Sequence, residues 1–184
     1  MSPAPKRKLE YADIPADDGK YYELIDGELF VNPSPNWVHQ RISRRLQRQL
    51  EDYFHARAIG EVFDAPLDVI LTRHDVLQPD LLVVADGSDT STRGIEKPPL
   101  LVVEVLSPST RNRDLALKYR RYSELGVAHY WIVDPDRKRV ECHRSIDGAF
   151  QLIVEAEGDT RLEHPVWDGM VLDLSALWLK NPFA

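Results

Sequence analysis

The spacing of apolar and polar positions changes several times along the chain, and each change predicts an element. Tyr21–Ile25 and Glu28–Asn32 flank Asp26-Gly27, a dipeptide suited to the left-handed dihedrals of a two-residue hairpin turn. Pro33-Ser34-Pro35 stops the second strand, and Asn36 is placed to cap a helix over 36–54. Within it, Ile42, Leu46, Leu50 and Tyr53 recur at helical spacing and form the inward stripe. Residues 61–71 alternate, with Ala65, Leu67, Val69 and Leu71 on one side, as in a half-buried strand. Residues 81–85 and 100–106 are nearly unbroken apolar runs, the pattern of strands covered on both faces. The stretch 86–99, with its Gly, Ser, Thr and Pro residues, joins them as a loop.

A second helix is expected over 110–125, capped by Ser109 or Thr110, with Leu115, Tyr119 and Tyr122 inward and Gly126 at its C-terminus. His129–Asp134 and 139–144 pair around Pro135-Asp136, 150–157 adds a strand, and 174–179 forms a short closing helix. Residues 1–20, with Pro3, Pro5 and Pro15, are expected to form a flexible polar arm ahead of a single domain over 21–184. The order of elements gives an α/β (α+β) fold with a central mixed β-sheet flanked by helices. In it, 100–106, 110–125 and 129–134 make one crossover between parallel strands.

Composition narrows the class. Of 184 residues, 43% are hydrophobic and 29% charged, which is neither a disordered nor a membrane composition. No apolar run approaches the roughly 20 residues of a bilayer span. Lys6, Arg7 and Lys8 are followed by acidic residues, unlike a signal peptide. The lone Cys142 excludes an internal disulfide and any multi-cysteine zinc site, so a cytoplasmic protein is expected. A net charge of −7 argues against a polyanionic partner, yet the charge is uneven. Arg41, Arg44, Arg45 and Arg48 share one helix face, and Arg111, Arg113, Lys118, Arg120 and Arg121 outnumber Asp114 in the second helix. These are either two solvated helix faces or two local surfaces for a polyanion.

Glu104 carries the chemistry. A carboxylate inside Leu100-Leu101-Val102-Val103-Glu104-Val105-Leu106 costs several kcal/mol unless it is paired, protonated or put to use. A buried arginine partner or a wet strand end is the plain structural alternative. Asp80 opens the preceding apolar run after Pro79, and alone it is an ordinary strand-start residue. If the two runs are neighbours, Asp80 and Glu104 meet, and a proton or a cation must lie between them. Oxygen ligands and partial hydration suit Mg²⁺ or Mn²⁺, which activate water and stabilise charge on a phosphate oxygen. Lys118 lies on the helix that packs back over Glu104, where an ammonium stabilises developing negative charge. A surface ion pair with Asp114, four residues upstream, is equally available to it. No histidine pair has metalloprotease spacing, no serine sits in a nucleophile elbow, and no glycine-rich phosphate loop is present. Trp37, Trp131, Trp167 and Trp178 suit a core or an interface better than a base-stacking platform.

Together, Tyr22-Glu23-Leu24-Ile25-Asp26-Gly27-Glu28-Leu29, Pro79-Asp80, Glu104-Val105-Leu106-Ser107-Pro108-Ser109-Thr110, Asp114…Lys118…Tyr122 and Tyr130-Trp131-Ile132-Val133-Asp134-Pro135 resemble the Uma2 family. That is a bacterial family of restriction-endonuclease candidates within the PD-(D/E)xK nuclease-like superfamily. The resemblance spans residues 21–135 and implies a restriction endonuclease-like core, Mg²⁺ or Mn²⁺ on Asp80 and Glu104, and a catalytic lysine. Leu106 stands where the superfamily's Glu-x-Lys has its lysine, so that role maps onto Lys118. Glu28 matches as an accessory carboxylate, and His39 matches at the helix start. The implied activity is metal-dependent hydrolysis of DNA phosphodiester bonds, with Arg41, Arg44, Arg45, Arg48, Arg111 and Arg113 on backbone phosphates. A homodimer would bring two sites to a duplex, with Trp167 and Trp178 as its surface. The missing Glu-x-Lys and the net charge leave open a catalytically inactive nucleic-acid- or protein-binding member. A two-carboxylate glycosidase would leave Lys118 without a role.

Overall fold

The computed structural model describes residues 7–15, 18–85 and 90–178. Its first sheet is formed by β1 (Tyr21–Ile25), β2 (Glu28–Asn32), β4 (Val69–Thr72), β5 (Asp75–Leu77), β7 (Thr90–Ser91) and β8 (Gly94–Ile95). The strands run in the order β2-β1-β5-β4-β8-β7. The second sheet contains β3 (Glu61–Asp64), β6 (Leu81–Val84), β9 (Leu101–Val105), β10 (His129–Asp134), β11 (Arg139–Ile146) and β12 (Ala149–Glu157). Its order is β12-β11-β10-β9-β6-β3. Both sheets are mixed: β4 runs parallel to β8, and β9 runs parallel to β10. β13 (Arg161–Glu163) and β14 (Val171–Asp173) form a small ribbon.

Helix α1 (Trp37–Phe54) is capped by the Asn36 side chain, which accepts from the His39 N–H at 3.0 Å. Its buried Ile42, Leu46 and Leu50 pack with Leu81, Val83, Leu101 and Val103 on one face of the second sheet. On the opposite face Val102 and Leu106 meet Ile25, Tyr122 and Tyr130, while Leu82 and Val84 meet Val69 and Ile95. The two apolar runs are therefore neighbouring central strands covered on both sides, as their composition implied. Successive side chains alternate between faces, so Asp80 belongs with Leu82, and Glu104 with Val102 and Leu106. Both carboxylates lie on the face toward the first sheet.

The hairpin forms in the expected register, with Asp26 at φ 51° and Gly27 at φ 79° in its turn. Five expectations change. The stretch 86–99 is not all loop, since β7 and β8 lie within it and join the first sheet. Residues 61–71 are not one strand: the run breaks after Asp64, Pro66 supplies no N–H to continue a ladder, and β3 and β4 enter different sheets. The second helix contains a π-helical segment, Arg113–Lys118, before α2 (Tyr119–Glu124). Its wider turn brings Asp114, Lys118 and Tyr122 inward and leaves Leu115 40% exposed. The described part of the N-terminal arm is tied down: Leu9 N–H donates to the Gly27 carbonyl and Tyr11 N–H to that of Arg73, both at 2.9 Å. The C-terminal indoles are not a surface. Trp178 is 5% exposed and donates from Nε1 to the Gly158 carbonyl, and Trp167 stacks on His164. The closing helix is α3 (Leu174–Leu177). Its expected end at 179, the arm residues 1–6 and 16–17, and loop residues 86–89 lie outside the described residues. Among the described residues no helix is long and apolar enough to cross a membrane.

Candidate active site

The ladder between β6 and β9 pairs Leu81 with Val103, so Asp80 and Glu104 stand at the next rung, where the ladder ends. Pro79 cannot extend it, and the Asp80 carboxylate takes over: its Oδ2 accepts the Val105 N–H at 2.7 Å. The same oxygen accepts from His39 Nε2 at 3.0 Å. The first turn of α1 is thereby tied to the end of β6, with both anchors on Oδ2. Burial opposes a charge on His39, but the Asp80 carboxylate outweighs it, and the imidazole pKa is raised.

Glu104 is buried, and Lys118 Nζ donates to its Oε1 at 3.0 Å, with the Tyr122 hydroxyl at 3.5 Å from the same atom. Lys118 also lies 2.8 Å from Glu23 Oε1 and 3.5 Å from Asp114 Oδ1. The ammonium is thus the hub of three buried carboxylates from β1, β9 and the π-helical turn. Burial alone would push its proton off, but Glu104, Glu23 and Asp114 hold it on, and its pKa is raised. Burial pushes the Glu104 carboxyl well up despite Lys118, with Asp114, Asp80 and Glu23 adding to the effect. Burial raises Asp114 as well, against the pull of Lys118. Arg113 adds a cation 3.3 Å from Glu23 Oε2 and donates to the Asn32 side chain.

Asp80, Glu104, Asp114, Lys118, Arg113 and His39 all line one open cavity of about 470 Å³. Its walls come from the loop after β2, the start of α1, the segment around Pro66, and Ser107–Thr110. Among the described residues, no three His, Cys, Asp or Glu side chains converge closely enough to cage an ion by themselves. Mg²⁺ does not require that, since it takes one or two carboxylates and completes its shell with water and phosphate oxygens. The charge balance fits such an ion. Four carboxylates, Glu23, Asp80, Glu104 and Asp114, face the two permanent cations Lys118 and Arg113, and the surplus must be met by protons or by metal.

Asp80, Glu104 and Lys118, predicted from separate elements, come together. The surface pair considered for Lys118 and Asp114 is instead buried. Glu28 is not part of the cluster. It sits exposed at the turn end of the hairpin opposite Ile25, and Glu23 supplies the hairpin carboxylate. Glu23 carries the same signal as Glu104, a carboxylate in an apolar strand, Tyr22-Glu23-Leu24-Ile25. The arginines divide. Arg41, Arg44 and Arg48 are exposed on α1, whereas Arg45 Nη1 donates to the carbonyls of Ala176, Leu177 and Trp178 and ties α1 to α3. Arg111 pairs with Asp134, and Arg113 belongs to the acidic cluster.

This mixed-sheet fold is shared with a solved structure, a "putative nuclease" from Anabaena variabilis. The two superpose with a TM-score of 0.69 at 20% identity, over 85% of this chain and 89% of that one. The chain belongs to the Uma2 family, whose model, described as "putative restriction endonuclease", matches residues 9–175. Uncharacterized protein slr1290 of Synechocystis sp. is 27% identical over 165 residues, 87% of this chain and 86% of that protein.

Proposed function

We propose that the chain is a Mg²⁺- or Mn²⁺-dependent endonuclease that hydrolyses DNA phosphodiester bonds at the Asp80–Glu104–Lys118 cavity. The observation that carries this is the fixed ammonium of Lys118, 3.0 Å from Glu104 and lining the same cavity as Asp80. It stands for the Glu-x-Lys that Leu106 interrupts. Asp80 and Glu104 would hold the ion, whose chemistry is that of a Lewis acid and of water activated near neutral pH. Lys118 keeps its proton and stabilises negative charge developing on a phosphate oxygen, already oriented by three carboxylates. His39 and the Val105 N–H fix one oxygen of Asp80, which leaves the other for a ligand. Glu23 and Asp114 hold Lys118 in place.

The test is cleavage of DNA by the purified chain with Mg²⁺, with Mn²⁺ and with a chelator. Divalent-dependent cleavage, abolished in both Asp80→Asn and Glu104→Gln, is expected. A folded wild-type chain that cleaves no form of DNA with either ion would overturn the proposal in favour of a binding-only protein.

A further inference from the structure

We infer that the DNA backbone is gripped on one side of the acidic cavity only: its phosphates lie in a groove between α1 and the end of β3, on Arg44 and Arg48, and none is held at the opposite mouth. The inference rests on the nuclease reading and narrows how the substrate is held.

The groove is a second depression beside the cavity, walled by Ser43, Arg44, Gln47 and Arg48 of α1 and by Asp64 of β3. Two elements carry it into the cavity without a break. Gln40 lines both hollows, and Asp64 of the depression is followed directly by Ala65 and Pro66 of the cavity wall. From Gln40 to Arg48 the helix rises about 12 Å, a length spanned by about three consecutive phosphates of one DNA strand. Arg44 and Arg48 are exposed and form no ion pair among the described residues, so both guanidinium groups are open to a phosphate. Glu51, which accepts from Gln47 at 3.0 Å, and Asp64 border the same hollow and limit its net charge. Its pull on a phosphate is therefore short-range, through the guanidinium forks themselves.

The opposite mouth has its cations spent. Arg113 lies 3.3 Å from Glu23 Oε2 and donates to the Asn32 side chain, and Arg111 is paired with Asp134. Lys20, next to the lining residue Tyr21, is 3.6 Å from Asp18. What lines this mouth besides Arg113 is uncharged. Tyr21, Pro33 and Pro35 form one wall, and the other carries Ser107, whose hydroxyl is 3.0 Å from those of Ser109 and Thr110. Of the six arginines expected on the backbone, only Arg41, Arg44 and Arg48, all exposed on α1, are uncommitted among the described residues. A strand crossing the cavity thus meets free positive charge before the cut or after it, and not on both sides.

The experiment reads the fluorescence anisotropy of a short labelled duplex in Ca²⁺ across a series of salt concentrations, and its cleavage in Mg²⁺. Arg44→Ala and Arg48→Ala should each reduce the slope of log affinity against log salt by about 0.9, one phosphate contact on a duplex. Arg111→Gln, beside the opposite mouth, and Arg137→Ala, in the turn after β10, should leave the slope unchanged. Once the cut is mapped, neutral methylphosphonates replace single phosphates of the cut strand on either side of it. On one side they should slow cleavage by roughly 10-fold, as for the loss of one phosphate contact, and on the other by less than about 2-fold. Arg44→Ala should abolish that difference. A slope indifferent to Arg44→Ala and Arg48→Ala, or lowered equally by Arg111→Gln or Arg137→Ala, overturns the inference. Equal sensitivity to methylphosphonates on both sides overturns it too while leaving the nuclease reading intact. Binding whose slope depends on Arg44 and Arg48 alone, without cleavage, upholds the one-sided grip and overturns the nuclease reading instead. A chain that binds no DNA overturns both.

Discussion

The Nζ of Lys118 lies 2.8 Å from Glu23 Oε1, so the lysine of the second helix is bonded to the N-terminal hairpin as well as to the central strand. Removing it leaves Glu23, Glu104 and Asp114 buried without their shared cation. Lys118→Met is therefore expected to cost about 3–5 kcal/mol at pH 7, the range for breaking a buried ion pair. Of these, Glu104 and Asp114 have raised folded-state pKa values, chiefly through burial. They stabilise the fold below their unfolded values, and that contribution is lost as pH rises through the folded ones. The deficit should therefore shrink as pH falls from 7 toward 4. Urea unfolding of wild type and variant at both ends of that range checks it. A loss near 0.3–0.5 kcal/mol throughout, the value of an exposed pair, would contradict the clasp.

His39 reaches the same Asp80 oxygen as the Val105 N–H, at 3.0 and 2.7 Å. It touches the ligand, not the reacting atoms, and acts as a positioning residue. His39→Ala should weaken Mn²⁺ binding by about 10- to 100-fold, as for other losses of a ligand's hydrogen-bond partner. His39→Gln, which keeps a donor, should recover part of the affinity. Isothermal titration of Mn²⁺ into the three proteins measures this, and equal affinities would remove His39 from the site.

Much of this arrangement was legible in the sequence, for a physical reason. A carboxylate in an apolar run is conspicuous, so Glu104 stood out, and the unbroken runs 81–85 and 100–106 announced strands buried on both faces, while their adjacency was only a condition of the proposed site. The turn dipeptide Asp26-Gly27 and the Asn36 cap fixed the hairpin and α1 because those signals are local. What failed depended on tertiary context. The π-helical turn at Arg113–Lys118 shifts the helical phase, so a stripe counted at 3.6 residues per turn placed Leu115 inside and left Asp114 on the surface. The choice of Glu28 over Glu23 followed a motif instead of burial. Arg45 was indistinguishable from its neighbours because its acceptors lie on α3, far along the chain.

The second helix is also fastened from below. Arg121 donates from Nε and Nη2 to both oxygens of the buried Asp75, each at 2.6 Å, and Asp75 also accepts the Asp26 N–H at 2.8 Å. Arg121→Ala leaves an uncompensated carboxylate between the hairpin turn and β5, and should cost about 3–5 kcal/mol. Guanidinium unfolding at pH 7 reads the loss. A change below about 1 kcal/mol would mean that Asp75 finds other partners.

Burial holds His129 and His164 down to about 4, with Arg144 adding to both. Both imidazoles are neutral in the folded chain at neutral pH, and the unfolded chain takes up protons first as pH falls. Stability is thus full above pH about 6.5 and is lost progressively down to about 4, by at most roughly 3 kcal/mol for each histidine. His129 Nδ1 is buried and has no hydrogen-bond partner among the described residues. His129→Phe should therefore flatten the melting-temperature profile between pH 6.5 and 4 at little cost at pH 7. Parallel wild-type and variant profiles would contradict this.

The most direct measurement is anomalous diffraction from crystals of the wild-type chain soaked in Mn²⁺ near neutral pH, with Asp80→Asn treated identically. A single strong peak in contact with the carboxylates of Asp80 and Glu104, absent from Asp80→Asn, is the predicted result. A well-ordered cavity with no peak there, or a peak that persists in Asp80→Asn, would contradict a metal-dependent nuclease at this site.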